Sequence, residues 1–478
     1  MKDQPSKPSV LGLRPPGPGH LVTMEKIRED PLEFLESMYR TYGPVTFHET
    51  ERDRVYSVFD PELVSQVMMS GESRFTKQAT PDDFMLTPLL GCGLLTSHGE
   101  TWERQRSITQ PMFARKRVEG FLPMMHQEAV NLCSTWAQAA RDGHRVRVDH
   151  DLTAMALRIV ARAMLGADLS GVGHGFGKAV DAVNAHLSHG DPRDTPDTDE
   201  VIEDAKGYPR GAAILNSIVA MLIEARKLEL SDLEPDERDR GGKTGLQHES
   251  TNELLSSLLS YRDPVSGMGV ADDEIHSQVL TMIMAGHETT AKALTWTLFL
   301  LDQNRDVLDR VRSECIEILG GRPPGPDLLA SLKWTRSAIQ EAMRLYPPIW
   351  VISRRAMSEQ RVGGFDIEPG SLVCVSPWIL HHDPKSWPSP NNFNPARFLE
   401  DDATRDRHAY LPFGLGPRQC IGRGFALMEA VVTLSTIVQA LDLKVCEDHQ
   451  VIPQALVTLR PKFGLFMDPH ELTTTDKC

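Results

Sequence analysis

Cys420 stands in Phe413-Gly414-Leu415-Gly416-Pro417-Arg418-Gln419-Cys420-Ile421-Gly422, and the helical pattern RGFALMEAVVTLSTIVQAL follows at once. A thiolate is the nucleophilic and metal-binding form of cysteine, and the positive end of a helix stabilises it. Gly416 and Gly422 allow the backbone to approach a flat ligand where a side chain would intrude. Arg418, two residues before the sulfur, is placed to pair with an anionic group on that ligand. The other cysteines (Cys92, Cys133, Cys315, Cys374, Cys446 and Cys478) are scattered without a CxxC pair and read as inert, reduced thiols.

Three further groupings carry chemistry-bearing residues at helical spacing. Ala285-Gly286-His287-Glu288-Thr289-Thr290 lies midway along the longest helical pattern. Glycine costs about 1 kcal/mol there relative to alanine. An acid between Met282–Met284 and Leu294–Trp296 also needs a reason. His287-Glu288 is not a zinc-protease motif, because Ala291 stands where a second histidine is required. His287 reads as a hydrogen-bonded core histidine. Glu341 and Arg344 share one helical face, and Trp102 and Arg106 lie one turn apart. Taken alone, these are an ion pair worth little and a solvated charge beside a core aromatic.

Together the four groupings resemble the cytochrome P450 superfamily across nearly the whole chain. Phe413–Gly422 matches the family's F-x-x-G-x-R-x-C-x-G loop in full, and the resemblance implies that Cys420 is the axial thiolate ligand of haem iron. The resemblance implies a mainly α fold with a smaller β-rich region, haem lying between the long central helix and the cysteine-loop helix. It gives Phe413, Gly414 and Gly422 to the haem contact. Ala285 and Gly286 leave room for dioxygen, and Glu288 with Thr289 forms an acid–alcohol pair that supplies protons; positioned proton transfer is worth about 10²–10⁴-fold. Glu341, Arg344 and Arg397 form the structural set that holds the cysteine loop. Trp102, Arg106, Arg418 and Arg354 face the haem propionates, with Arg355 the alternative to Arg354, since strand alternation admits one of the two.

The elements that must position these residues are legible. DPLEFLESMYRTYG reads as a helix, and PVTFHETERDRVYSVFD as a hairpin turning at Glu51–Arg54. Helical periodicity dominates from Pro61 to about Leu319, culminating in the central helix, roughly Asp272 to Asn304, whose first aspartates suit an N-cap. SLKWTRSAIQEAMRLY is a helix stopped by Pro347–Pro348. Strands follow in WVISRRAM and RVGGFDIEPGSLVCVSPW, and then a loop-rich stretch. There His381-His382-Asp383 lies on an extended segment, where neighbours point apart and a metal site is not expected. The pattern implies one domain over 1–478, with acidic loops near 191–204 and 229–250.

The 478 residues carry 51 Lys plus Arg against 66 Asp plus Glu, a net charge of −15. That balance disfavours nucleic acid as the main partner. The acidity is local: residues 191–204 hold seven acids and one arginine, and residues 229–239 hold six and one. No signal peptide or membrane anchor is evident, so a cytoplasmic monomer is expected. Trp102–Arg117 is locally basic, and Arg104, Arg115, Lys116 or Arg117 could steer an acidic electron carrier.

The resemblance implies haem b as cofactor and O₂ as co-substrate, with NAD(P)H acting indirectly. A ferredoxin or flavodoxin and its reductase supply the electrons, because no flavin or iron–sulfur domain is evident. The reaction is RH + O₂ + two electrons + two protons giving ROH and water, a hydroxylation or epoxidation. The expected substrate is a hydrophobic small molecule such as a fatty acyl chain, terpenoid or polyketide. Its pocket draws on Phe84, Met85, Leu86, Leu89, Leu90 and Leu94, on His186–His189, on Ile349–Ile352 including Val351, and on Leu456 and Val457. Alternatives are a peroxide-dependent peroxygenase or haem-thiolate rearrangement enzyme, a haem-binding regulator, and a haem-free enzyme with Cys420 as nucleophile. The Glu288–Thr289 pair disfavours the first of these.

Overall fold

Polar residues leave little of the central helix, Asp272–Gln303, facing water, and its side chains are buried from Ile275 to Leu301 along most of its length. It starts after Ala271 without a side-chain cap, so Asp272, Asp273 and Glu274 complement the helix dipole from within the first turn and do not cap it. The computed structural model describes residues 13–166, 178–180, 182–183, 186–187, 199–231, 253–399 and 406–472, with side chains in the 199–231 helix from residue 207.

Against the central helix packs the helix Val148–Leu165, whose buried face runs from Val148 to Leu165. A Cβ on Gly286 would stand 3.0 and 3.3 Å from the Val160 methyls. The small residue at 286 therefore also serves close helix packing, a role the sequence did not announce. The cysteine-loop helix, Arg423–Ala440, lies against Leu122–Arg141, with Phe425 edge-on to Phe121. The helix Lys333–Leu345 stops where Tyr346 leaves helical geometry at φ −130° before Pro347–Pro348.

The strand region is a five-stranded sheet ordered Val45–Glu49, Arg54–Val58, Leu372–Val375, Ile352–Ala356 and Phe75–Thr76. The first pair is the expected antiparallel hairpin, with Val45 opposite Val58. The second strand pairs in parallel with Leu372–Val375, so the sheet joins the chain's start to its last third. Its own core of Phe47, Tyr56, Val58, Val373 and Val375 is separate from the large helical core.

Two expectations change here. Residues 199–204 and 229–231 belong to the helix Asp199–Ser231, not to acidic loops; residues 191–198 and 232–250 lie outside the described residues. His381 and His382 close a short helix, Pro377–His382, and are not extended. His381 is fully buried, and each ring meets a backbone carbonyl, Arg344 for His381 and Trp378 for His382.

Candidate active site

One cavity of about 900 Å³ brings the chemistry-bearing groupings together. Trp102, Arg106, Ala285, Gly286, Glu288, Thr289, Arg354, Phe413, Gly414, Arg418, Cys420 and Gly422 all line it. The cysteine loop is folded by its own backbone: Cys420 N–H donates to Phe413 O at 2.9 Å, Gln419 N–H to Gly416 O at 3.0 Å, and Gly414 N–H to Leu411 O at 3.1 Å. Gly416 has φ +76°, and a Cβ there would meet the Met68 carbonyl oxygen at 2.1 Å. Its bareness admits the Met68 backbone, not a ligand, contrary to expectation. Gly422 does face the site, its nearest neighbours being Phe113 and the Cys420 sulfur.

Cys420 opens onto the cavity with protein on its other sides, and this enclosure pushes its thiol up. The N–H groups of Gly422 and Arg423 and the charge of Arg106 pull the other way. The enclosure prevails, so the thiolate needs a cationic partner to form at neutral pH.

Positive charge gathers along another wall. Arg418 donates to Glu72 at 2.6 Å and to Ser97 O at 2.8 Å, with its guanidinium 4.3 Å from the Trp102 ring centre. Arg106 donates to Gln419 O at 2.9 Å. Arg354 is buried, donates to Ser353 O at 2.8 Å, and is pushed down to about 10 by burial and by Arg418. Arg355 turns away, to Ala79 O and to Asp53 at 2.7 Å. Strand alternation thus resolves in favour of Arg354 as the residue facing the cavity. Lys77, which nothing in the sequence marks, joins the group; burial pushes its ammonium down to about 8 while it donates to Leu95 O at 3.2 Å.

The central helix forms the facing wall. Thr289 Oγ1 donates to Ala285 O at 3.2 Å and Thr290 Oγ1 to Gly286 O at 3.4 Å, two successive back-bonds of the kind that bends helices. Glu288 and Thr289 do not bond to each other. Glu288 Oε1 instead accepts from Thr458 Oγ1 at 2.9 Å, across from the C-terminal hairpin. His287 is buried, with Nδ1 2.7 Å from Ile283 O, in keeping with a core histidine.

Behind the cysteine loop, Arg344 makes a paired bond to Glu341 at 2.8 and 2.8 Å, both side chains fully buried. Glu341 Oε1 also accepts from Arg397 Nε at 3.2 Å and from Asn394 N–H at 3.0 Å. Glu341 thus accepts four hydrogen bonds, three at Oε1 and one at Oε2, which ties its helix to Asn394 and Arg397 around one buried carboxylate.

The sequence profile described as "Cytochrome P450" matches residues 14–467. The chain belongs to the cytochrome P450 family. Cyclooctatin synthase of Streptomyces melanosporofaciens is 32% identical over 464 residues, covering 94% of this chain and 92% of the relative. Cyclooctat-9-en-7-ol 5-monooxygenase of the same organism is 31% identical, covering 91% and 89%. The crystal structure of the cytochrome P450DA heme domain superposes with a TM-score of 0.83 at 26% identity, covering 98% of this chain and 99% of that one. This P450 is an oxidoreductase of the monooxygenase class.

The residues present fit the haem that the family uses. Cys420 offers a sulfur that lacks only a cation, and buried Lys77 and Arg354 converge with Arg418 and Arg106 on one wall, where the acids Glu72, Asp82 and Asp83 offset their charge in part. The carboxylates of a flat ligand would give these cations further acceptors. Among the expected pocket residues of this P450, Met85, Leu86, Leu89, Leu90, Leu94, Leu187, Ile349–Ile352 and Leu456–Val457 line the cavity. Phe84 does not: it is 38% exposed, on the opposite face of the helix Pro81–Leu90 from Leu89 and Leu90. Residues 188–189 lie outside the described residues. Of the expected carrier-binding cations, Arg104 pairs with Glu274 of the central helix at 2.8 Å and Arg115 with Glu119 at 2.7 Å, and both remain exposed. Lys77, Glu72 and Thr458 escaped sequence reasoning because each is a single polar residue outside any periodic pattern.

Proposed function

We propose that this P450 hydroxylates or epoxidises a hydrophobic, terpenoid-sized substrate with haem b held by Cys420, taking electrons from a separate ferredoxin or flavodoxin and its NAD(P)H-dependent reductase. The observation that carries this reading is the cavity itself. Its walls bring the Cys420 sulfur, the Ala285–Thr289 turn and the Lys77–Arg354–Arg418 cations into one apolar chamber. When bound, haem supplies the activation of O₂, and a proximal thiolate favours O–O cleavage.

This chain's residues do the rest. Cys420 would ligate the haem iron, and Arg354, Arg418, Lys77 and Arg106 would hold its propionates, with Trp102 stacked under Arg418. Glu288 and Thr289 hold and pass protons. Site residues running from Lys77 to Thr458 support one domain over 1–478. Among the described residues, no helix is long and apolar enough to cross a membrane.

The substrate class rests on the apolar lining and on the names of the two Streptomyces relatives. The carrier face rests on the exposed Arg115 and Lys116, in a helix packed against the cysteine-loop helix. The test uses purified haem-loaded protein. A ferrous–carbon monoxide band of the thiolate type, lost in Cys420→Ala, is expected. Terpenoid alcohols should give ligand-induced spin shifts and O₂-dependent products with a carrier. Turnover with peroxide and none with carrier proteins would defeat the monooxygenase reading. Carrier reduction at low salt unaffected by charge reversal at Arg115 and Lys116 would defeat the docking face.

A further inference from the structure

Thr458 sits in the turn of the C-terminal hairpin between Pro453–Ala455 and Leu459–Pro461. That turn is fastened from several sides. Trp350 Nε1 donates to Leu456 O at 2.7 Å, Leu459 N–H to Pro348 O at 2.9 Å, and Trp296 Nε1 to Leu459 O at 3.0 Å. Trp296 is itself stacked on Tyr346 at 4.0 Å. The Thr458 hydroxyl is buried, lines the cavity and donates to Glu288 at 2.9 Å, although 170 residues separate the two. A bond to an ionised acceptor from a rigid donor is among the stronger kinds.

We infer that Thr458 is the positioning residue for Glu288, fixing one carboxylate oxygen so that the other is presented to the cavity beside Thr289. Among the described residues, Oε2 of Glu288 has no hydrogen-bond partner, whereas Oε1 is held. Lys292, buried one turn further along the helix, attracts the same carboxylate electrostatically from the protein side. Thr289 spends its proton on Ala285 O, which leaves its oxygen lone pairs available to a donor. Glu288 thus stands between a fixed anchor in the hairpin and an alcohol one residue away. The inference rests on the proposed reading of Glu288 as a proton relay.

The test compares Thr458→Val, which keeps shape but loses the donor, with Thr458→Ser, which keeps the donor. Two readouts are taken on haem-loaded protein. One is the C–O stretching band of the ferrous–carbon monoxide complex. The other is product formed per NAD(P)H with a surrogate ferredoxin and reductase. The valine variant is expected to shift the band and to lower product per NAD(P)H by about tenfold, with hydrogen peroxide rising in its place. Serine should restore both, and valine should add nothing in a Glu288→Ala background. Thr458→Ala carries the same expectation should the valine variant fail to hold haem. A valine variant matching wild type in both readouts overturns the inference, as does a serine variant that melts normally yet behaves like valine. If Glu288→Ala couples as well as wild type, the relay reading falls, while a serine-reversible band shift still supports Thr458 as the anchor of Glu288.

Discussion

His381 Nε2 accepts the backbone N–H of Leu411 at 2.8 Å, while its Nδ1 lies 3.2 Å from the Arg344 carbonyl. The two contacts require a neutral ring protonated on Nδ1. Leu411 O in turn receives Gly414 N–H, and Phe413 O receives Cys420 N–H. One imidazole therefore carries the order of the buried Glu341–Arg344 pair into the cysteine loop. His381→Phe leaves the buried Leu411 N–H without a partner, which costs about 1–3 kcal/mol. A lower denaturant midpoint and faster transfer of haem to apomyoglobin are expected. A transfer rate equal to wild type would show that the loop is held without this ring.

Acid should unfold the protein through its histidines before its carboxylates protonate. Burial lowers His48 and His382 to about 4 and takes His381 well below 6.5. These are bases with depressed folded values, so the unfolded chain binds protons first as pH falls below about 6.5. The stability they contribute is complete above that value and drains away toward pH 4. Melting temperature followed from pH 7.5 to 4.5 should fall, and less steeply in His48→Gln.

Glu429 gives the opposite sign. It is fully buried in the cysteine-loop helix, both oxygens lack a partner among the described residues, and burial raises its carboxyl well above 4.5. The unfolded chain loses this proton near 4.5 while the folded chain keeps it, so stability declines as pH rises from there toward the folded value. Glu429→Met should raise the melting temperature at pH 7.5, with a smaller gain at pH 4.5. Equal gains at both pH values would mean that the carboxyl is ionised in the fold.

Removing a cation from the propionate wall should loosen haem without dismantling the protein. Arg354→Leu and Lys77→Met each take away a buried charge whose neighbours include other cations. Haem transfer to apomyoglobin should speed up by about tenfold in each. The haem-free forms should melt no lower than wild type, since a like-charge repulsion has been relieved. Haem retention unchanged in both variants would remove them from the cofactor site.

Much of this site was written in local sequence. Cys420, the Ala285–Thr290 turn and the Glu341–Arg344 pair lie within short motifs, where spacing alone puts side chains on one face or one loop. The helix, hairpin and strand boundaries around them follow from periodicity and from Pro and Gly stops. Contacts that join distant segments were not legible. The partners of Arg418 and Glu288 come from Glu72 and Thr458, far along the chain, and no pattern announces them. Gly416 shows a related failure, and Gly286 a contact beyond the one expected of it. A missing side chain advertises a close approach without saying what approaches, and here it is the Met68 backbone and Val160. The basic run from Trp102 to Arg117 is partly neutralised once folded, because Arg104 pairs with Glu274 and Arg115 with Glu119.

The cavity that begins at Cys420 and Thr289 runs out to Phe34, Leu35 and His48 beside the first hairpin. Among the described residues the groups proposed for chemistry stand at its inner end, so the proposed oxidation would fall on whichever end of an elongated guest travels deepest. Length would then act as a ruler: a guest that fills the conduit is expected to give one product, and a shorter homologue a mixture.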